Sequence, residues 1–351
     1  MRVLLLSTLL VAVVLVSSTL AASSLSVRNS VAITRSGLAG TWFDYIVVIV
    51  MENHGINATY GSSCMGDCLY FNNLANAYSL AKNYDKGGVP GSLGDYIALT
   101  SGVETVTCNG PPPDCVPDVA NIVDRIEGVH LSWRAYMEDY PTNCAPSCSP
   151  GGCFVGSSFG GVGHYSSTHN PFVYYRDIVN STGRCRLITP ANSLIDSTQA
   201  CGTPTPIVET DDLFLKDLNS VVNASNYMFL TPNNFDNVHD CGGPVSIGNA
   251  YLQRMIPRIL NSTLFQTRRA AVFVTFDEPD PYRGTPPNDS SKLYTVWASY
   301  NSAHTKPTYQ SIKPYNHFSS LKTVENNWGF PPFFTSKNDG PVPDMGEFLL
   351  T

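Results

Sequence analysis

Residues 45–55 read YIVVIVMENHG. Six uncharged residues, most of them β-branched, run through Met51 into an acid, an amide, an imidazole and a glycine. An unbroken apolar run, rather than an alternation of apolar and polar residues, predicts a strand buried on both faces. Strands of that kind belong to parallel sheets covered by helices. Similar runs recur as HLSWRAYM (130–137), NYMFLTP (226–232), AAVFVTFD (270–277) and KLYTVWAS (292–299). Helical patterns at 92–102, 119–128 and 250–264 lie between some of them. The alternation predicts an α/β fold with a mostly parallel central sheet. Loops at 103–117, 140–168 and 280–290 are rich in Gly, Pro and Cys and are expected to shape a cleft.

In open α/β sheets, ligands bind beyond the carboxyl ends of the strands. Glu52 and Asn53 stand at such an end, as do Asp277 and Glu278, and Asp236, Asn237, His239 and Asp240 follow a third. One such exit reads as a cap or a turn; three together point to a metal or anion site. Carboxylates with one or two imidazoles suit a divalent cation such as Mg²⁺, Ca²⁺, Mn²⁺ or Zn²⁺. The segment GGVPGSLGDYIALTSG leads into a helix with Ser92 near its start. There a serine is either a nucleophile poised at a helix N-terminus or a plain N-cap, and the spacing leaves both open. His54 could orient Glu52 or cap the next turn, and His130, His164 and His304 have no motif around them.

The chain has 351 residues, a formal net charge of −7 and only 14% charged residues, against an average of about 25%. That balance argues against nucleic acid and anionic membranes as partners. Residues 1–21 read as a signal peptide and 22–40 as a leader; 41–335 is the expected domain and 336–351 a C-terminal tail. No later segment is apolar enough to span a bilayer, so a secreted protein is expected. Its oligomeric state is not specified by any pattern. Ten cysteines argue for disulfides, with Cys64/Cys68 and Cys108/Cys115 as local pairs. Cys144, Cys148 and Cys153 lack the closing ligand pair of a zinc site. Sequons stand at Asn57, Asn180, Asn223, Asn261 and Asn288.

Seven segments follow one another in a recognisable order. They are IVVIVMENHG, GSLGDYIALTSG, LSWRAYMEDYPTNC, THNPFVYYRDI, FLTPNNFDNVHDC, VFVTFDEPD and YNHFSSLKTVENNWGFPPF. Together they resemble the phosphoesterase family of secreted acid phosphatases and bacterial phospholipases C, within the alkaline phosphatase superfamily. The resemblance implies a three-layer α/β/α sandwich. It implies that Glu52, Asp277, Glu278 and Ser92 contact a divalent metal ion, that Ser92 becomes phosphorylated, and that His169, His239 and His317 act on the phosphate. Asn53, Asn170 and Asp240 would bind the substrate.

The implied activity is metal-dependent hydrolysis of small phosphate monoesters, with an acidic optimum if the histidines act protonated. The alternatives are a phospholipase C-type phosphodiesterase and a non-catalytic exported binding protein. The chain departs from the family pattern H-P-S-x-P-N-Y at Pro90, Gly94 and Asp95. An imidazole is lost, and Asp95 places a negative charge where an amide is expected, unless it serves the metal.

Overall fold

The structure, a computed structural model, describes residues 38–89, 91–103, 118–141, 165–194, 211–239, 243–279, 291–333 and 341–351. The signal peptide, most of the leader, Cys108/Cys115, Cys144, Cys148, Cys153, Asp240 and Asn288 lie outside the described residues.

The strands are β1 Tyr45–Met51, β2 Ser79–Ala81, β3 Tyr84–Asp85, β4 Trp133–Met137, β5 Ile188–Pro190, β6 Tyr227–Thr231, β7 Ala270–Phe276, β8 Val296–Ala298, β9 Tyr309–Ser311 and β10 Tyr315–Asn316. Eight of them form one sheet in the order β5-β4-β6-β1-β7-β8-β2-β9. Every neighbouring pair is parallel except those made by β8, which runs antiparallel to β7 and β2. β1 lies between two parallel neighbours, and every residue from Ile46 to Met51 is buried. Burial on both faces is the physical reason that its sequence does not alternate.

The main helices are α1 Leu69–Ala77, α2 Gly91–Ser101, α3 Ile122–Gly128, α4 Val245–Leu260, α5 Thr263–Thr267 and α6 His317–Trp328. On one face, Ile46 and Val48 of β1 and Phe273 of β7 meet Leu99 of α2 and Leu321 and Val324 of α6 around a small apolar gap. On the other, Phe276 of β7 packs against Phe71 of α1 with ring centroids 5.9 Å apart. A Cβ at Gly248 of α4 would come within 2.9 Å of Met51 Cε. Alternate residues of β1 and β7 therefore enter opposite helical layers, giving the expected three-layer arrangement with a mostly parallel sheet.

Element boundaries shift for local reasons. The helical pattern at 250–264 is two helices: α4 starts earlier and ends at Leu260, then Ser262 caps α5 by accepting from the Phe265 N–H at 3.5 Å. The run 130–137 is strand only from Trp133, because His130 adopts φ +61° in the turn after α3. Residues 341–351, set off above as a tail, belong to the folded body, with Met345, Phe348 and Leu349 in the core. Cys64 and Cys68 are disulfide-bonded with Cα atoms 5.4 Å apart, and Cys185 is disulfide-bonded as well. Among the described residues, no helix is long and apolar enough to cross a membrane.

The loop that leaves β6 is held by buried acids. Glu138 accepts from the Asn233 N–H (2.9 Å), and Asp139 accepts from Asn233 Nδ2 (2.8 Å). Asn233 Oδ1 in turn accepts from the N–H groups of Phe235 and Asp236 at 3.0 and 2.9 Å. Nearby, Asp211 accepts from the Tyr251 hydroxyl at 2.6 Å, and burial pushes its carboxyl up to about 7. Burial likewise pushes Asp236 up to about 6, against the pull of Arg254.

An aspartate in the unfolded chain titrates near ~3.9. Between that pH and about 7 the folded protein holds a proton on Asp211 that the unfolded chain has released. This contribution to stability is full below the unfolded value and is lost as pH rises through the folded one. Asp211→Asn, which keeps a residue tolerant of the φ of +42° there, removes the cost of ionising a buried acid. The expected outcome is a thermal midpoint raised by a few degrees at pH 8 and little changed at pH 4. Destabilisation at pH 8 would show that the loop needs the charge.

Candidate active site

Parallel register aligns Met51 of β1 with Phe276 of β7, so Glu52 and Asp277 leave the sheet side by side. The backbone fastens them: the Asp277 N–H donates to Met51 O at 3.0 Å, and the Glu52 N–H donates to Asn237 O at 2.9 Å. Asn53 turns the chain with φ +55°, a left-handed conformation that Asn tolerates better than most residues. Its N–H donates to Asp277 Oδ1 at 3.0 Å, and the Glu278 N–H donates to the same oxygen at 2.6 Å. Asp277 is thereby fixed through Oδ1, and its buried Oδ2 has no hydrogen-bond partner.

Helix α2 brings three polar side chains to this edge. Ser92, Asp95 and Tyr96 share one face at helical spacing. The Ser92 hydroxyl donates to Glu52 Oε2 at 3.4 Å. Asp95 is fully buried, and neither of its carboxylate oxygens has a hydrogen-bond partner. The Tyr96 ring stacks on His169 at 5.5 Å. His169 Nε2 lies 3.2 Å from Glu52 Oε1, close but outside hydrogen-bond geometry, and the His239 ring lies 5.1 Å from that of His169.

His317 opens α6, with Asn316 as its N-cap. Its Nε2 is 2.7 Å from the Asp277 carbonyl oxygen, which can only accept, so Nε2 carries the proton. Nδ1 then accepts from the Tyr84 hydroxyl at 3.0 Å. Burial pushes His317 down to about 4 and pushes His169 well below the usual imidazole range. Both are neutral rings near pH 7.

Two groups of ligand-type side chains result, Glu52–His169–His239 and Asp95–Asp277–Glu278, with one ligand atom from each member within 4.8 Å of the others. Burial, reinforced by Asp277, pushes Glu52 well above the carboxylate range; burial and Glu278 push Asp277 up to about 6. Burial and Asp277 push Asp95 up to about 10, against the pull of Lys86. Buried carboxylates without partners are costly unless a cation accompanies them. The unpartnered oxygens Glu52 Oε1, Asp277 Oδ2 and both of Asp95 are hard donors of the type divalent cations select, so the residues present fit such an ion.

The structure gathers Glu52, Ser92, His169, His239, Asp277, Glu278 and His317 at one sheet edge. Asn53 is half-buried at the centre, held through its backbone. Asn170 is buried; its Nδ2 donates to the Tyr165 hydroxyl at 3.0 Å, while its Oδ1 has no partner. Asp236 turns away to pair with Arg254 at 3.1 Å. The expectation that three protonated histidines serve the phosphate is narrowed by the two buried neutral rings. His54 Nδ1 contacts the Glu52 carbonyl at 3.1 Å, so it is tied to the backbone of the turn.

Lys86, Tyr84 and Tyr96 were not singled out in the sequence, and Asp95 stood there only as a departure. Tyr96 and Asp95 could have been found by extending the face of α2 from Ser92. Tyr84 reaches His317 only because β3 pairs with β10, a long-range contact with no local signal.

The sequence profile of the Phosphoesterase family matches residues 65–331. A phosphate-repressible acid phosphatase of Penicillium chrysogenum is 24% identical over 84% of this chain, which spans 61% of that protein. An acid phosphatase of Aspergillus fumigatus is 25% identical over 61% of the chain, which spans 40% of its length. A phosphatidylinositol-3-phosphatase of Mycobacterium tuberculosis is 23% identical, with 90% of this chain and 87% of that one covered.

Among solved structures, an alkaline phosphatase superfamily protein from Vibrio parahaemolyticus matches 88% of this chain and 71% of its own, with TM-score 0.55 and 9% identity. The lipoteichoic acid synthase LtaP from Listeria monocytogenes matches 88% of this chain and 83% of its own, with TM-score 0.54 and 9% identity. At these identities the likeness is one of fold. The profile match runs from the disulfide loop after β1 to the end of α6 and takes in Ser92, the three segments that carry His169, His239 and His317, and the acidic pair: the chain belongs to the Phosphoesterase family.

Proposed function

We propose that this chain is a secreted, metal-dependent phosphoric ester hydrolase of the acid phosphatase type, cleaving small phosphate monoesters through a phosphoserine at Ser92. The observation that carries this reading is the Ser92 hydroxyl, in the first turn of α2, directed at Glu52 beside two groups of ligand-type side chains in which Glu52 Oε1, Asp277 Oδ2 and both Asp95 oxygens make no hydrogen bond. The three relatives compared above, each named a phosphatase, support it. Export from residues 1–21 accords with the disulfide at Cys64–Cys68.

Asp277 and Glu278, with Glu52 and Asp95, would hold the cation. Bound there, a divalent ion supplies Lewis acidity that favours the serine alkoxide and neutralises phosphoryl charge. Glu52 Oε2 takes up the Ser92 hydroxyl proton as Oγ bonds to phosphorus and returns it to Oγ when the phosphoserine is cleaved. The N-terminal N–H groups of α2 favour the anionic phosphoryl group at Ser92. His317, with both nitrogens committed to Tyr84 and Asp277, fixes the acidic pair and is a positioning residue. His239 is half-buried beside the His169 ring and is the side chain assigned to protonate the leaving oxygen. The half-buried Asn53 side chain is assigned to the phosphoryl oxygens. Water then hydrolyses the phosphoserine, and the same histidine accepts the proton of that water.

In hydrolysis of p-nitrophenyl phosphate, Ser92→Ala is expected to lower kcat by about 10³-fold or more with an unchanged thermal midpoint. EDTA is expected to abolish wild-type turnover and an added divalent salt to restore it. Turnover that survives both treatments would remove the covalent metal-dependent reading.

His239→Ala gives a separate check. p-Nitrophenolate leaves without protonation, whereas an alkyl alcohol does not. In kcat/KM, which reports only the steps up to phosphoserine formation, the variant is expected to lose about 10²–10⁴-fold on glycerol phosphate and far less on p-nitrophenyl phosphate. Equal losses on the two substrates would show that His239 is not the acid.

A further inference from the structure

The Asp95–Asp277–Glu278 group is not free of cations, because Lys86 stands in it. Lys86 Nζ lies 2.5 Å from Glu278 Oε2 and 3.7 Å from Asp95 Oδ2. The lysine side chain is 25% exposed, while those of Glu278 and Asp95 are 10% and 0% exposed, so the ammonium closes the group from its solvent side. Lys86 directly follows β3, which is held in parallel pairing to β10. Asp85 is further fixed by the Gly87 N–H on Oδ1 at 2.9 Å and by Lys292 Nζ on Oδ2 at 2.8 Å. The lysine's starting point is therefore anchored, and its flexible four-carbon stem is what reaches the acids.

We propose that Lys86 is a tethered counter-ion that competes with the divalent cation for Asp95 and Glu278, so that this one side chain sets how tightly the group holds metal. The inference rests on the metal-dependent reading above. Three acids crowded into one buried site ionise together only beside a cation. One ammonium offsets one of their charges, whereas a divalent ion offsets two and also ligates oxygens that now have no partner. Both cations draw on the same carboxylates, and a divalent ion brought among them would be repelled by the ammonium already there. Loading the site therefore weakens the Lys86 contacts and favours the ammonium swung outward on its stem. Asp95 gives the chain a reason for this device. It adds a third acid to the pair that leaves β7, and Lys86 is the charge that answers it.

The test is calorimetric titration of the metal-free full chain with MnCl₂, for the wild type, Lys86→Met and Lys86→Arg. Wild-type binding of Mn²⁺ upholds the metal-dependent reading by itself. The proposal expects Lys86→Met to bind about tenfold more tightly, and Lys86→Arg, which keeps the competing charge, to stay near the wild type. An affinity in Lys86→Met equal to or weaker than the wild type overturns the competition and leaves the metal reading standing. Absence of Mn²⁺ binding in all three proteins overturns both.

If Lys86→Met does not fold without its counter-ion, the wild type alone decides. The rate of acetylation of the Lys86 amine, followed by mass spectrometry, is expected to rise several-fold when Mn²⁺ is added. A rate that stays constant or falls overturns the proposal.

Discussion

The site depends on one alignment, that of the ends of β1 and β7. Because the two strands are parallel and in register through Met51 and Phe276, their next residues emerge together. Glu52 and Asp277 would otherwise repel each other apart. They stay together because the Asp277 N–H is bonded to Met51 O and because Asp277 Oδ1 takes the N–H groups of Asn53 and Glu278. Backbone donors thus hold a carboxylate in place without neutralising its charge, and its other oxygen is left for a ligand. The left-handed turn at Asn53 is what aims that N–H.

Around this alignment the protein gathers more acids than its own cations balance. Glu52, Asp95 and Asp277 are fully buried, and Glu278 nearly so. Burial and mutual repulsion push the first three upward. In a fold whose net stability is a small difference between large terms, such a concentration persists only where the rest of the structure over-determines it. The continuous apolar core of β1, β6 and β7 between two helical layers does so here. The acids gathered at Glu138, Asp211 and Asp236 extend the same strategy to the loop that carries Asn237 and His239.

Much of the site was legible in the sequence because its residues sit at strand ends and helix starts, where local pattern predicts position. The unbroken run at 45–50 announced a doubly buried strand, and the acids at positions 52, 277 and 278 followed from where such strands stop. Ser92 and Asp95 could be placed relative to each other by helical spacing alone. What was not legible is which side chains answer one another across the fold. The two nitrogens of His317 are committed to Tyr84, more than two hundred residues earlier, and to the backbone of Asp277. Asp236, with the same local context as Asn237, turns to Arg254 instead of the site.

The sequence by itself determined strands β1, β4, β6, β7 and β8 in their order and the helical regions between some of them, because apolar runs, helix caps and turn residues act over a few neighbouring positions. It also determined the inventory of chemistry at one sheet edge, since in a parallel sheet every strand releases its next residues on the same side. Only the tertiary structure decided the state of those residues. Whether an imidazole is neutral, whether a carboxylate has a partner, and whether Lys86 reaches Asp95 and Glu278 depend on burial and on charges a few ångströms away. Those charges are contributed by segments far apart in the chain.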